Sequence, residues 1–124
     1  YVEIGDFNEL GGYRAMSRLL DKRGDFSAVI ALNDQMAYGA MLALSEAGLD
    51  IPDDVSLVGF DDLPHSAYTV PPLTTISQPV NRIGAMAAST VLAISAGYEQ
   101  TVEQSVAASI VVRGSTAKFM GGKR

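Results

Sequence analysis

Two apolar runs in this sequence end in adjacent polar residues: Ala28 to Leu32 is followed by Asn33-Asp34, and Val55 to Phe60 by Asp61-Asp62. Ligands of open α/β sheets bind outside the carboxyl ends of the strands, so polar side chains at those ends face a crevice. Neighbouring residues on an extended chain point to opposite sides, which lets one member of each pair meet a ligand while the other caps the next helix or turn. Asn33 and Asp61 are the ligand candidates on this reasoning, Asp34 and Asp62 the structural ones. A carboxylate accepts hydrogen bonds from two vicinal hydroxyls and an amide both donates and accepts, which suits a sugar or a nucleoside. A phosphate would be repelled by Asp61. The same spacing also fits two pairs of plain caps. Phe7, between Gly5-Asp6 and a helix start, either stacks on a ligand ring at the same edge or belongs to the core.

Other chemistries find less support. Asp61, Asp62 and His65 are the ingredients of a metal or acid/base site, but His65 is the single histidine, follows Pro64 in a turn, and has no second His or Cys to complete a coordination sphere. A solvated turn histidine is the expectation. Cysteine is absent, which excludes disulfides and thiolate metal sites. There is no G-x-S-x-G elbow for a nucleophilic serine. Gly11-Gly12 matches neither phosphate-cradling pattern and more simply eases close packing at a helix start. No enzyme activity and no cofactor are expected.

The elements that must position these residues alternate between strand-like and helix-like along the chain, the mark of an α/β protein with a mostly parallel sheet. Tyr1 to Ile4 is a short strand candidate, and a helix runs from Asn8 or Glu9 through Leu20, stopped by Gly24-Asp25. The uninterrupted apolar run Ala28 to Leu32 predicts a strand covered on both faces. Asn33-Asp34 then opens a helix that Gly48 stops, and Val55 to Phe60 repeats the buried-strand pattern. After Leu73-Thr74-Thr75-Ile76, Pro79 is placed at the first position of a third helix that ends at Gly97. Val80, Ile83, Ala87, Val91 and Ile94 recur on it at helical spacing, so that face must pack on something. Val106 to Val112 predicts a last strand. The second helix is apolar almost all round, with Ala37, Met41 and Leu44 on one side and Tyr38 and Leu42 on another. It is covered twice, by the sheet and a partner subunit, or it is buried wholly within one subunit.

A chain of 124 residues, 48% hydrophobic, supports one core. Its net charge of −5 would repel a polyphosphate backbone, so nothing in the segment itself grips DNA. The basic residues Arg14, Arg18, Lys22 and Arg23 form a solvated helix face, and Lys123 and Arg124 sit at the tail. No apolar stretch reaches the ~20 residues of a membrane helix. Tyr1-Val2-Glu3-Ile4 does not have the form of a signal peptide and reads as the interior of a longer chain.

The string from Ala28 through Asn33-Asp34-Gln35-Met36-Ala37-Tyr38-Gly39-Ala40, and then Gly48 through Ile51-Pro52-Asp53-Asp54-Val55 to Phe60-Asp61-Asp62, resembles the lactose-repressor/galactose-repressor (LacI/GalR) family. Pro71-Pro72-Leu73-Thr74-Thr75-Ile76-Ser77-Gln78-Pro79, Ile83-Gly84 and Val111-Val112-Arg113-Gly114-Ser115-Thr116 resemble that family's later blocks in the same order. The resemblance implies a type I periplasmic-binding-protein-like sensor of two subdomains, here an incomplete C-terminal subdomain. It is joined in the family to an N-terminal helix-turn-helix that binds operator DNA as a dimer in the cytoplasm. Effector closing the cleft shifts the relative orientation of the subdomains. By position, Phe7 matches an aromatic that lies against a sugar or purine ring, Asn33 a polar cleft position and Asp61 the effector-binding aspartate. Gln78 matches a polar residue where the chain crosses between subdomains, and Tyr38, Met41, Leu42 and Tyr68 fall in the dimer interface. A strand between Tyr1–Ile4 and Ala28–Leu32 comes from upstream in the family, and the helix at about 79–97 packs on the other subdomain. The fragment alone is therefore expected to exchange strands between copies or to bury that helix face in an oligomer. The alternative is a periplasmic sugar-binding protein of a transport system, which shares the fold; the Pro-Pro-Leu-Thr-Thr and Ile-Pro-Asp-Asp-Val blocks favour the regulator.

Overall fold

Two asparagines start the first two helices. The Asn8 side chain accepts the Gly11 N–H at 2.8 Å ahead of α1 (Glu9–Lys22), and Asn33, in extended backbone, accepts the Met36 N–H at 2.8 Å ahead of α2 (Asp34–Glu46). The computed structural model describes residues 1–22, 25–98 and 103–119. The expected stop at Gly24, and Arg23, Lys123 and Arg124, lie outside the described residues. The remaining elements are β1 (Ala28–Ile30), β2 (Ser56–Asp61), a 3-10 turn (Pro64–Ala67), β3 (Thr74–Ser77), α3 (Val80–Ser95) and β4 (Ser109–Val111).

The four strands form one sheet in the order β1-β2-β3-β4. β1 and β2 are parallel with Ile30 opposite Val58, and β2 and β3 are parallel with Asp61 opposite Ser77. The chain divides into two compact units: Tyr1–Ser77 with the segment from Ile110, and Gln78–Ser109. The first unit holds the core, made of Met16, Ala31, Ala37, Ala40, Ala43, Leu44, Val55, Leu57 and Leu73. So many alanines on α2 allow a close approach, and glycines complete it where α1 crosses α2. A methyl group on Gly39 would collide with the Glu9 carbonyl oxygen and stand 2.6 Å from the Tyr13 nitrogen; one on Gly12 would strike the Met36 backbone. The glycine pair at positions 11 and 12 thus serves packing, as expected.

Three elements differ from expectation. Tyr1–Ile4 is not a strand. An alternating pattern gives a segment the capacity to pair, but a strand exists only where a neighbour completes the ladder, and the sheet ends at β1. The segment is held instead to α1: Glu3 pairs with Arg18 and Lys22, and Arg18 Nη2 donates to the Ile4 carbonyl at 2.7 Å. Arg18 and Lys22 together hold the Glu3 carboxyl below its ordinary pKa. β1 is shorter than the apolar run and is covered on one face only: Ala31 joins the core, whereas Ile30 is 71% exposed and Leu32 70%. An apolar groove of about 540 Å³ runs between Tyr1–Ile4 and β1, lined by Ile4, Met16, Phe26, Val29 and Met36 among others. The last strand is trimmed to Ser109–Val111.

The second unit contains α3. Pro79 stands one residue earlier than expected, at the N-cap and not inside the first turn, and Gly97 follows the C-cap in left-handed conformation at φ 87°. α3 buries none of its residues, and Val80, Val91, Leu92 and Ile94 are exposed. No helix among the described residues is long and apolar enough to cross a membrane.

Candidate functional site

Residues 33 and 61 each lie three positions beyond the paired Ile30 and Val58, so the register of β1 and β2 sets Asn33 and Asp61 at the same carboxyl edge of the sheet. Asn33 Nδ2 donates to the Phe7 carbonyl at 3.1 Å, which fastens the loop ahead of α1 to that edge. Phe7 itself is 67% exposed and is not a core residue. Phe7, Asp61 and Asp62 are the non-glycine residues with positive φ among those described, at 54°, 112° and 56°. A side chain held at positive φ is strained by about 1–3 kcal/mol and persists where the surroundings over-determine it, as at ligand sites.

The first polar pair divides its work differently from expectation. Asn33, the ligand candidate, is itself the cap, with its oxygen on Met36 N–H and its nitrogen on Phe7. It retains one N–H and one lone pair for a ligand. Asp34 is structural, but as a buried hub and not as a cap: it is fully buried, and its Oδ1 accepts the Thr75 hydroxyl at 2.6 Å. Its Oδ2 accepts the Ser66 hydroxyl at 2.6 Å and the Leu63 N–H at 2.8 Å. Its place in the first turn of α2 adds the favourable end of the helix dipole. Gly59 makes room for it, since a methyl group there would collide with Asp34 Oδ1.

In the second pair, Asp62 is structural, but through an ion pair with Arg113 and not as a cap on the following turn. Arg113 Nη2 donates to its Oδ1 at 2.6 Å, with both side chains about four-fifths covered, and Arg113 Nη1 reaches the Leu73 carbonyl at 2.8 Å. Arg113 above all, aided by the Ser77 hydroxyl, holds the Asp62 carboxyl below its ordinary pKa. A depressed carboxyl contributes stability above the unfolded value, and that contribution is lost as pH falls through the folded value. Arg113→Met is therefore expected to cost about 1.5–3 kcal/mol at neutral pH. The Asp62 share of this penalty should begin to fall at about pH 4, the ordinary carboxyl value, and disappear only as pH drops through the lower folded value, leaving the pH-independent loss of the Leu73 contact. Urea unfolding at pH 7 and at successively lower values below about pH 4 reads both parts; a penalty that never falls would contradict the assignment.

Gln78 follows Ser77 and opens the second unit. Of the four residues expected at a dimer face, Tyr38 and Met41 are half-buried on α2, while Leu42 and Tyr68 are exposed. The Tyr38 hydroxyl is 2.7 Å from Ser66 Oγ, burial raises its pKa, and its ring meets His65 edge-on at 5.2 Å between centroids. Among the described residues no cluster of metal-ligating side chains forms. The groove beside β1 includes Phe7 but neither Asn33 nor Asp61, so it does not join the three candidates. Ser66, Thr75, Gly59 and Arg113 escaped the sequence reading as site-supporting residues, because their partners are distant in the chain.

A family model for the periplasmic binding protein-like domain matches residues 2–116. The HTH-type transcriptional regulator MalR of Streptomyces coelicolor is 45% identical over 112 residues, covering 90% of this chain and 32% of that protein. Among solved structures, the Lac repressor dimer bound to operator and the anti-inducer ONPF is similar with a TM-score of 0.86 at 35% identity, over 92% of this chain and 40% of that one. A LacI family transcriptional regulator from Enterococcus faecalis with bound ribose is similar with a TM-score of 0.82 at 35% identity, over 91% and 42%. These relatives are transcription regulators, not enzymes, and the chain spans about a third of the length of the curated relatives it matches.

Proposed function

The chain belongs to the periplasmic binding protein-like domain family, in its LacI/GalR branch, and from this premise we propose that it forms one wall of the effector cleft of a cytoplasmic transcription regulator whose effector is a sugar. The observation that carries the reading is the strained edge of the sheet: Phe7 and Asp61 both stand at positive φ, with Asn33 fastening the Phe7 loop beside them. An exposed aromatic ring and a carboxylate are the two groups a sugar needs, one for its apolar face and one for a pair of hydroxyls. Gln78, the first residue of the second unit, is a ligand candidate on the family resemblance alone. Operator DNA is bound by a part of the regulator outside this chain, and Tyr38, Met41, Leu42 and Tyr68 lie in a homodimer interface. The apolar face of α3 packs on the other subdomain, and the groove beside β1 receives a strand of the longer protein.

A thermal-shift panel of pentoses, hexoses, disaccharides and nucleosides on the full-length regulator tests the effector class. A sugar at a hundred times its Kd stabilises the protein by about 2.7 kcal/mol, a shift of several degrees. A shift with nucleosides alone would move the effector class, and no shift with any member would sink the reading.

A further inference from the structure

We propose that Asp34 is the positioning residue of the effector turn, an inference that rests on the sugar-cleft reading above. Asp34 does not reach the carboxyl edge of the sheet itself; it lies fully buried below it, in the first turn of α2. Its two oxygens nevertheless hold the chain on both sides of Asp62. Oδ2 takes the Leu63 N–H directly at 2.8 Å. Oδ1 takes the Thr75 hydroxyl at 2.6 Å, and the Thr75 oxygen in turn accepts the Asp62 N–H at 3.4 Å. The clamped residues are the consecutive non-glycine pair in which φ is positive, Asp61 and Asp62. Two adjacent strained residues relax unless their neighbours are tethered, and this carboxylate supplies the tether at Leu63 directly and at Asp62 through one hydroxyl.

The arrangement also explains why a buried carboxylate is tolerated. No cation pairs with it among the described residues. Three donors satisfy its two oxygens instead, the third being the Ser66 hydroxyl. Removing a donor leaves a buried charge short of a partner, so the group is committed to holding these contacts. Asp34 acts on the effector through the backbone of Asp61, not by contact.

The test is hydrogen exchange, followed by mass spectrometry, on the full-length regulator carrying Thr75→Val, with Thr75→Ser as the conservative variant. Valine keeps the shape of Thr75 and removes both the donor to Asp34 and the acceptor of Asp62 N–H. The expected result is exchange at the Asp62 and Leu63 amides at least about tenfold faster, confined to peptides over residues 59–64, with α1 peptides unchanged and with Thr75→Ser behaving as the unsubstituted protein. Unchanged exchange at these amides, or a uniform loss of protection over the whole domain, would overturn the proposal. Titration with ribose, galactose and cellobiose is the second readout. Whichever of them shifts the melting of the unsubstituted protein is expected to bind Thr75→Val at least about tenfold more weakly, while a normal affinity overturns the proposal. If none of the three acts on the unsubstituted protein, that result bears on the sugar-cleft reading and not on Asp34, whose role the exchange result alone decides.

Discussion

Asp61→Ala in the full-length regulator is expected to abolish the response to effector while leaving operator affinity unchanged. On the proposed sugar-cleft reading, the carboxylate at the end of β2 would supply two charge-assisted hydrogen bonds to adjacent sugar hydroxyls, each worth about 1.5–3 kcal/mol. Loss of both lowers affinity by roughly two to four orders of magnitude at about 1.4 kcal/mol per tenfold. An effector acts only through its different affinity for two states of the regulator, so removing that affinity removes the switch and not the operator grip. Backbone strain complicates the variant, because Asp61 stands at φ 112° and alanine tolerates that region poorly. Asp61→Gly separates the two effects: glycine relieves the strain and still lacks the carboxylate. Both variants are expected to lose the response in an operator-release assay read by fluorescence anisotropy. Normal release with Asp61→Gly would mean that the turn, and not its carboxylate, carries recognition.

The carboxyl edge was legible from residues 28–34 and 55–62 because an apolar run ended by polar residues is a local pattern. The second helix was legible for the same reason, its start marked by Asn33 and its end by Gly48 at φ 70°. What lies beneath that edge was not legible. Asp34 looks like a cap from its neighbours in sequence, and its real partners, Ser66 and Thr75, lie 32 and 41 residues away. Arg113, 51 residues from Asp62, carried no local signal either. Tyr1–Ile4 and β1 erred in a shared way. Alternation and apolarity state what a segment can bury, whereas pairing depends on which strands stand beside it and two-sided cover on what packs over each face, and β1 stands at an edge with one face exposed.

Gly59→Ala is expected to be among the most damaging single-methyl additions in this domain. Gly59 is buried in the middle of β2, and its φ is not positive, so alanine suits the backbone and the effect is purely one of space. The added carbon would run into Asp34 Oδ1 and stand 2.9 Å from Leu73 Cδ2. Leucine can yield by changing rotamer, but Asp34 cannot move without releasing the Thr75 hydroxyl or the Leu63 N–H. Overpacking and a weakened buried carboxylate together should cost about 3 kcal/mol, a fall of several degrees in the melting midpoint. Gly84→Ala is the contrast: nothing lies within 4 Å of a methyl group there, on α3, and alanine should stabilise the helix by about 0.5–1 kcal/mol. A double-mutant cycle identifies the cause. Asp34→Ala alone is destabilising because it strands three donors, but with Gly59→Ala the methyl occupies space the carboxylate leaves, so the pair should cost less than the sum by about 1–3 kcal/mol. Strict additivity would place the collision elsewhere, and a Gly59→Ala midpoint equal to that of the unsubstituted protein would mean that the β2 backbone yields where this packing says it cannot.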